Sequence, residues 1–288
     1  MTVQWYPGHM HKAQKEIKKV IPQIDVVIEV LDARIPYSSE NPAIRQIRQN
    51  RPCIKILNKA DLADPGVTQQ WIAYYEKEAG TKAIDLVAEQ KKQTPQLLSK
   101  IASLCKLFLP ERNLQNKPAR VMIMGIPNVG KSTIMNGLAG KTLAKVGNEP
   151  AVTKRQQLIV LGNGIQLSDT PGILWPRMED ENTGYRLAVT GAIKNTAMEF
   201  EDVAIYAADF LLKSYPDALM SRYKLKELPQ DDVTLLENIG RKRGGLRAGG
   251  VVDMHKAAEV LLQDFRSGSL GRITLETPDM IPQPEPET

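Results

Sequence analysis

The chain has 288 residues, 42% apolar and 25% charged, which suits one or two globular domains with a real core and excludes a low-complexity protein. Its net charge of +5 is uneven: residues 1–172 carry 24 Lys+Arg against 14 Asp+Glu, and residues 173–288 carry 14 against 19. A basic front half points to a polyanionic partner, nucleic acid first, with a merely solvated basic surface as the competing reading. Two isolated cysteines, Cys53 and Cys105, make neither a disulfide framework nor a zinc site and fit a reducing cytoplasm. No apolar run reaches the ~18 residues of a membrane span, and residues 1–19 lack the apolar core of a secretory signal.

In chain order, Trp5-Tyr6-Pro7-Gly8 cannot all sit in a helix, so residues 1–10 read as an extended arm or a tight turn. Residues 11–20 read as a basic helix whose Lys12, Lys15, Lys18 and Lys19 are candidates for phosphate-backbone contact, or form a solvated face. A buried strand at 26–31 ends on Asp32-Ala33-Arg34. Asn41 caps a short helix at 42–50 that begins with proline. A strand at 53–57 ends on Asn58-Lys59-Ala60-Asp61, a helix at 68–79 closes at Gly80, and a third strand spans 82–87. Leu97, Leu98, Ile101, Leu104, Leu107 and Phe108 make a 3.6-residue stripe along a helix opened by Thr94-Pro95. Residues 110–118 form a breaker-rich connector.

Next comes an apolar strand, Val121-Met122-Ile123-Met124, then Gly125-Ile126-Pro127-Asn128-Val129-Gly130-Lys131-Ser132, then a helix at 133–139. Strand, glycine loop and helix are the context of a phosphate-binding loop. Successive backbone N–H groups and the helix N-terminus favour phosphate, Lys131 would reach the β- and γ-phosphates, and the Ser132 hydroxyl would hold Mg²⁺. Residues 156–161 and 165–169 flank Gly162-Asn163-Gly164 as a β-hairpin ending at Asp169-Thr170-Pro171-Gly172. Asp169 would approach Mg²⁺, the Gly172 N–H would sense the γ-phosphate, and Thr153 is the candidate second threonine on the metal, with an ordinary loop hydroxyl as the alternative.

Strands alternating with helices across 24–172 predict an α/β domain with a mainly parallel sheet, whose ligands sit beyond the carboxyl ends of the strands. From Trp175 onward, segments at 184–194, 200–215, 217–223, 231–239 and 255–266 all read as helices, giving a small all-helical domain. The expected division is a nucleotide-binding domain at 1–176, a small all-helical domain at 177–276 and a disordered Pro/Glu tail at 277–288.

Asn58-Lys59-Ala60-Asp61 has the chemistry of guanine selection. A carboxylate at Asp61 accepts from the N1–H and 2-amino group of guanine, donors that adenine lacks. Asn58 would buttress the loop, and the Lys59 stem would cover the flat face of the base. Asp61 precedes Gly125 by 64 positions, the reverse of the familiar order. A sheet closes in space wherever the chain is cut, provided the old ends meet, so the order is that of a circularly permuted P-loop GTPase.

Trp5-Tyr6-Pro7-Gly8-His9-Met10, Asp32-Ala33-Arg34-Ile35-Pro36, Asn58-Lys59-Ala60-Asp61, the loop 125–132 and Asp169-Thr170-Pro171-Gly172-Ile173-Leu174-Trp175-Pro176 together closely resemble the YlqF/RbgA ribosome-assembly GTPases. The resemblance covers residues 1 to about 280. It implies a cytoplasmic, monomeric GTPase that binds GTP and GDP through Asn58, Lys59, Asp61, Leu86, Asn128, Val129, Gly130, Lys131, Ser132, Thr133 and Gly172. Ser132, Thr153 and Asp169 would hold Mg²⁺, and Asn128 resembles the asparagine that coordinates K⁺ in potassium-activated GTPases. The implied partner is the precursor of the 50S subunit, with 23S rRNA as contact surface and late large-subunit assembly as the process. Arg241, Lys242, Arg243 and Arg247 form a second basic cluster, in the helical domain that the resemblance makes RNA- and ribosome-binding: a candidate for RNA contact beside Lys12, Lys15 and Lys19, or a solvated loop.

Two departures stand out. The switch segment reads Pro150-Ala151-Val152-Thr153 where the family carries glycine after the proline, and the second base-contacting loop, usually Ser-Ala-like, does not match at Asp85-Leu86-Val87. Ile173 stands where many GTPases place a water-orienting Gln. The resemblance assigns that duty to His9, with a surface histidine as the alternative. Competing readings are a GTP-dependent RNA-binding switch that hardly hydrolyses and a small-subunit assembly GTPase.

Overall fold

The computed structural model describes residues 15, 17–89, 94–140, 158–169, 180–193, 199–247 and 249–281. His9, Lys12, Thr153 and Gly172 lie outside the described residues, as do the aromatic arm and Ile173. The front half alternates as expected: β1 (Val26–Asp32), α1 (Pro42–Arg48), β2 (Cys53–Asn58), α2 (Pro65–Tyr75), β3 (Thr81–Leu86), α3 (Thr94–Phe108), β4 (Ala119–Met124), α4 (Lys131–Ala139) and the hairpin β5 (Leu158–Leu161) with β6 (Ile165–Asp169). They form one six-stranded sheet in the order β3-β2-β1-β4-β6-β5, parallel except for β5.

Every residue of β1 and β2 is buried, as strands covered on both faces must be, which is why both read as near-continuous apolar runs. The polar exceptions neutralise one another. Glu29 faces Lys55 in register, the Lys55 ammonium lies 3.0 Å from Glu29 and 2.7 Å from Glu40, and it sits 4.3 Å from the centre of the Tyr75 ring. A lysine in the middle of a sheet is tolerable only with such pairing, because an unpaired buried charge costs several kcal/mol, about 3–5 when one partner is removed.

Register aligns the ends that matter. Asp32 pairs with Asn58 and Asn58 with Leu86, so the carboxyl ends of β1, β2 and β3 lie level. Met124, the last residue of β4, pairs lower, with Glu29. The glycine loop therefore climbs beside the last residues of β1, so close that a Cβ on Gly125 would meet the Val30 carbonyl oxygen at 2.6 Å.

The back half is helical in its described residues: α5 (Glu181–Thr190), α6 (Phe200–Ser214), α7 (Pro216–Tyr223), α8 (Asp232–Lys242) and α9 (Met254–Arg266). α9 packs on α5, α6 and α8 through Ala258, Leu261, Leu262 and Phe265. The chain then returns to the sheet. The Ile273 and Leu275 N–H groups donate to the carbonyls of Leu62 and Arg34, and the Trp71 indole donates to the carbonyl of Glu276.

Several helix ends differ from expectation, among them the stops of α1 at Arg48 rather than 50 and of α2 at Tyr75 rather than 79, and three of the starts have a capping reason. α2 starts at Pro65 rather than residue 68, because the Asp64 carboxylate accepts from Gly66 and Val67 N–H with proline at the first helical position. α5 starts at Glu181 rather than 184, capped by Asp180, and stops at Gly191 in the left-handed region at φ 74°. Asp231 is the cap of α8 rather than its first residue, and the helix runs on to Lys242. Order also persists past Thr277: Pro278–Met280 is a 3₁₀ turn, and Ile281 packs with Trp71 and Tyr75.

Candidate nucleotide site

A cavity of about 510 Å³ opens at the carboxyl ends of the central strands. That volume lies within the range of ~300–1,000 Å³ usual for ligand sites. Asn58, Lys59 and Asp61 line one end and Asn128, Gly130, Lys131, Ser132 and Thr133 the other, so two stretches far apart in sequence share one space.

The two stretches are bonded directly. The Asn58 amide donates to the Val129 carbonyl (2.7 Å) and accepts, through Oδ1, from the Ala88 N–H (3.0 Å), stapling three segments together. The Lys59 ammonium donates to the Asn128 carbonyl (3.0 Å) and to Asp32 Oδ2 (2.9 Å). The Asp32 carboxylate also receives a two-pronged contact from Arg34, Nε to Oδ1 at 2.9 Å and Nη2 to Oδ2 at 2.7 Å. Burial alone would raise the Asp32 pKa, but the charges of Arg34 and Lys59 outweigh it and hold the carboxyl well below its ordinary range.

At the other end, Gly130 stands at φ 101° ahead of α4. A Cβ there would meet Asn58 Nδ2 at 2.2 Å, so only glycine lets the loop close against the asparagine. Asn128 also takes a positive φ of 62°. The Lys131 ammonium donates to the Ile126 carbonyl (2.6 Å), across the loop it follows. Loop amides, a helix N-terminus and a lysine converge here on the cavity wall, an arrangement suited to a phosphate chain. The Ser132 hydroxyl on the same wall is a hard oxygen donor of the kind Mg²⁺ takes alongside phosphate oxygens. β6 ends at Asp169, level with Ile123 of β4, one residue short of the end of β4.

The side chains of Leu86 and Val129 are buried in the core, which leaves Val129 its backbone N–H for the loop, and the cavity wall after β3 is made by Val87, Ala88 and Glu89. The Leu86 expectation therefore moves one to three residues along, because the last residue of β3 still points into the sheet. Lys15 and Lys19 are exposed. Arg241 pairs with Glu237 (2.8 Å), Arg247 with Asp253 (2.8 Å), Lys242 donates to the Lys224 carbonyl (2.5 Å) and Arg243 to the Arg222 carbonyl (3.2 Å). Each cation of that cluster thus has a partner within the chain while remaining solvent-facing.

Sequence reasoning missed Arg34, Leu62, Thr190, Arg266 and Ser267, which complete the cavity wall. The last three come from the helical half. Arg266 donates to the carbonyls of Val189 (2.9 Å) and Ala188 (2.7 Å) at the end of α5, and burial together with the charge of Arg34 lowers its pKa. The P-loop touches the same place: Asn128 Nδ2 donates to the Gly191 carbonyl at 3.3 Å.

A parallel sheet with a glycine loop opening a helix, and an Asn-Lys-x-Asp strand end beside it, defines a P-loop GTPase whose strands follow a permuted order. Comparison with known proteins agrees. Residues 120–238 match the family described as 50S ribosome-binding GTPase. The chain is 48% identical to ribosome biogenesis GTPase A of Priestia megaterium over 99% of this chain and 100% of the relative. Two solved structures of YlqF share its fold: a GDP-bound one (TM-score 0.66, 27% identity, 92% of this chain and 99% of that one) and a GNP-bound one from T. maritima (TM-score 0.65, 28% identity, 94% and 100%). The chain belongs to the ribosome biogenesis GTPase A (RbgA/YlqF) family. Among the described residues no helix is long and apolar enough to cross a membrane.

Proposed function

We propose that this chain hydrolyses GTP to GDP and phosphate while bound to a precursor of the 50S ribosomal subunit, and that hydrolysis marks a late step of that subunit's assembly. The observation that carries the nucleotide part is the shared cavity, with Asp61 at one end and Lys131 at the other. Family membership and the 50S ribosome-binding match support the ribosomal part.

In this reading the guanine base lies between Asp61, which accepts from its N1–H and amino group, and the Lys59 stem. The phosphates follow the loop from Asn128 to Ser132. Lys131 exchanges its bond to the Ile126 carbonyl for the β- and γ-phosphate oxygens, and stays on them as charge moves toward the leaving oxygen. Ser132, Asp169 and Thr153 are the residues that would hold Mg²⁺, which when bound neutralises charge on the β- and γ-oxygens. The Asn128 amide oxygen is the donor K⁺ would take. Hydrolysis at equal rates in NaCl and KCl would remove that assignment.

No glutamine follows Gly172, so the water is oriented by another group, and His9 is the residue we assign. Particle-stimulated turnover should fall on the order of 10²-fold in His9→Ala, within the range for general acid–base groups. Gly172 reads the γ-phosphate. For RNA, Lys12, Lys15 and Lys19 contribute one set of basic contacts, and Arg241, Lys242, Arg243 and Arg247, at the end of α8 and in the loop after it, a second, whose cations keep donors beyond their internal bonds. Co-sedimentation with 50S, 30S and 70S fractions, with GDP and with a non-hydrolysable GTP analogue, tests the whole reading. Analogue-dependent association with 50S material alone supports it, and association with 30S instead refutes it.

A further inference from the structure

Asp32 and Arg34 lie in a sequence motif to which the nucleotide chemistry above gives no task, yet both are buried and tied to the cavity. Asp32 is 1% exposed and Arg34 2%. One carboxylate there serves two cations: Lys59 from the base end of the cavity, and Arg34, which itself lines the wall. Asp32 is fixed further. Its N–H donates to Ser39 Oγ (3.0 Å), and its Oδ1 accepts from the Arg34 N–H (3.1 Å).

Resting on the guanine-nucleotide reading, we infer that Asp32 is the positioning residue for base binding: it holds the Lys59 ammonium so that the lysine stem lies across the base, and Arg34 holds Asp32. A lysine side chain carries substantial rotamer entropy, which would otherwise be lost on each binding event. Two acceptors, the Asp32 carboxylate and the Asn128 carbonyl, remove that freedom beforehand. Lys59 already sits at φ 62°, a conformation its Cβ disfavours, and the two bonds offset that strain.

The same pair joins the base end to the helical half. The Arg34 guanidinium lies 5.4 Å from the centre of the Phe265 ring of α9, and its carbonyl accepts from Leu275 N–H. Arg266, next to Phe265, lines the cavity opposite. The helical half thus touches, through the Phe265 ring and the Leu275 N–H, the arginine that bonds the aspartate that bonds the lysine. Nε and Nη2, two of the three guanidinium nitrogens, both bond the single carboxylate, and Nη1 has no hydrogen-bond partner among the described residues.

A double-mutant cycle on the full-length chain tests this, with fluorescent mant-GDP as probe. Asp32→Asn and Lys59→Met should each weaken binding roughly tenfold, equivalent to about 1.4 kcal/mol. The double variant should bind no more than about twofold worse than Lys59→Met alone, within the scatter of such cycles. The ratio of GDP to IDP affinity, which Asp61 sets through the 2-amino group, should stay at its wild-type value in Asp32→Asn. Should Asp32→Asn not fold, Arg34→Lys carries the same cycle. It keeps the charge and loses the fork, so it should weaken binding several-fold with Lys59 present and not at all in the Lys59→Met background. Additive losses, an unchanged affinity in both cycles, or an altered GDP-to-IDP ratio would overturn the assignment. Failure of the underlying nucleotide reading looks different: the wild-type chain itself would then bind no mant-GDP, and the inference falls with it.

Discussion

The cavity has a wall carried by the sheet and a wall carried by the helices, and they are built differently. On the sheet wall, Asn58 and Lys59 bond the carbonyls of Val129 and Asn128 in the glycine loop, and Lys131 bonds the Ile126 carbonyl across the same loop. On the helix wall, Thr190, Arg266 and Ser267 arrive at the ends of α5 and α9, held by helix-end carbonyls and by packing around Phe265. Chemistry is concentrated on the first wall and mechanical support on the second. Substitutions on the first should therefore change binding and turnover, and substitutions on the second should mainly change stability and how firmly the first is held.

Lys131→Ala gives the sharpest contrast, because it removes a cation from the phosphate end. Turnover should fall by roughly 10²–10³, the loss typical for a single preorganised electrostatic group, while the melting temperature moves little. Asp61→Asn comes next. It should cost at least about two orders of magnitude in GTP affinity and transfer preference to xanthine nucleotides, whose C2 carbonyl matches the new amide donor. A competition assay among GTP, XTP and ATP reads this directly. Gly130→Ala should lower both nucleotide affinity and stability, since its Cβ would have to displace Asn58 at 2.2 Å. The stability cost should be about 1–3 kcal/mol, read from denaturant midpoints.

Effects on the helix wall should be smaller. Arg266→Met loses two charge-assisted bonds to the carbonyls of α5, worth about 1.5–3 kcal/mol in stability, with only a few-fold change in GDP affinity. If affinity instead fell a hundredfold, the division between the walls would be wrong. The smallest expected effect concerns pH. Glu276, fully buried where the chain returns to the sheet, accepts from Ser38 N–H and Oγ and faces Arg186 at 3.3 Å, yet burial outweighs these and raises its pKa. A carboxyl with a raised folded pKa favours folding fully below its unfolded value, near 4.3, and loses that contribution as pH rises through the folded value. Asp32 has the opposite sign, its contribution present above about 3.9 and lost on strong acidification. Thermal melts should therefore show stability declining as pH rises above about 4.3, with a shallower slope in Glu276→Gln. Glu29, also raised by burial, would retain part of the slope.

The sheet wall was legible in the sequence and the helix wall was not, for physical reasons. Strands buried on both faces announce themselves as apolar runs, and phosphate and guanine chemistry demand residue types at fixed local spacing, so the 125–132 loop and Asn58-Lys59-Ala60-Asp61 could be read without coordinates. Arg266 and Thr190 carry no local signal. They reach the cavity because α9 and α5 pack as they do, and that follows from the combined apolar faces of four helices. Leu86 shows the limit within the sheet: the strand end was placed to within a residue, but one residue decides whether a side chain faces core or cavity. Lys55 was likewise hidden, its partners Glu29 and Glu40 supplied by a neighbouring strand and loop.

Amide hydrogen exchange with and without GDP tests most directly whether the two separated stretches hold one nucleotide. Addition of GDP should slow exchange at residues 58–62 and at residues 126–133 together, with the same concentration dependence. Protection of the loop alone, with 58–62 unchanged at saturating GDP, would contradict the account.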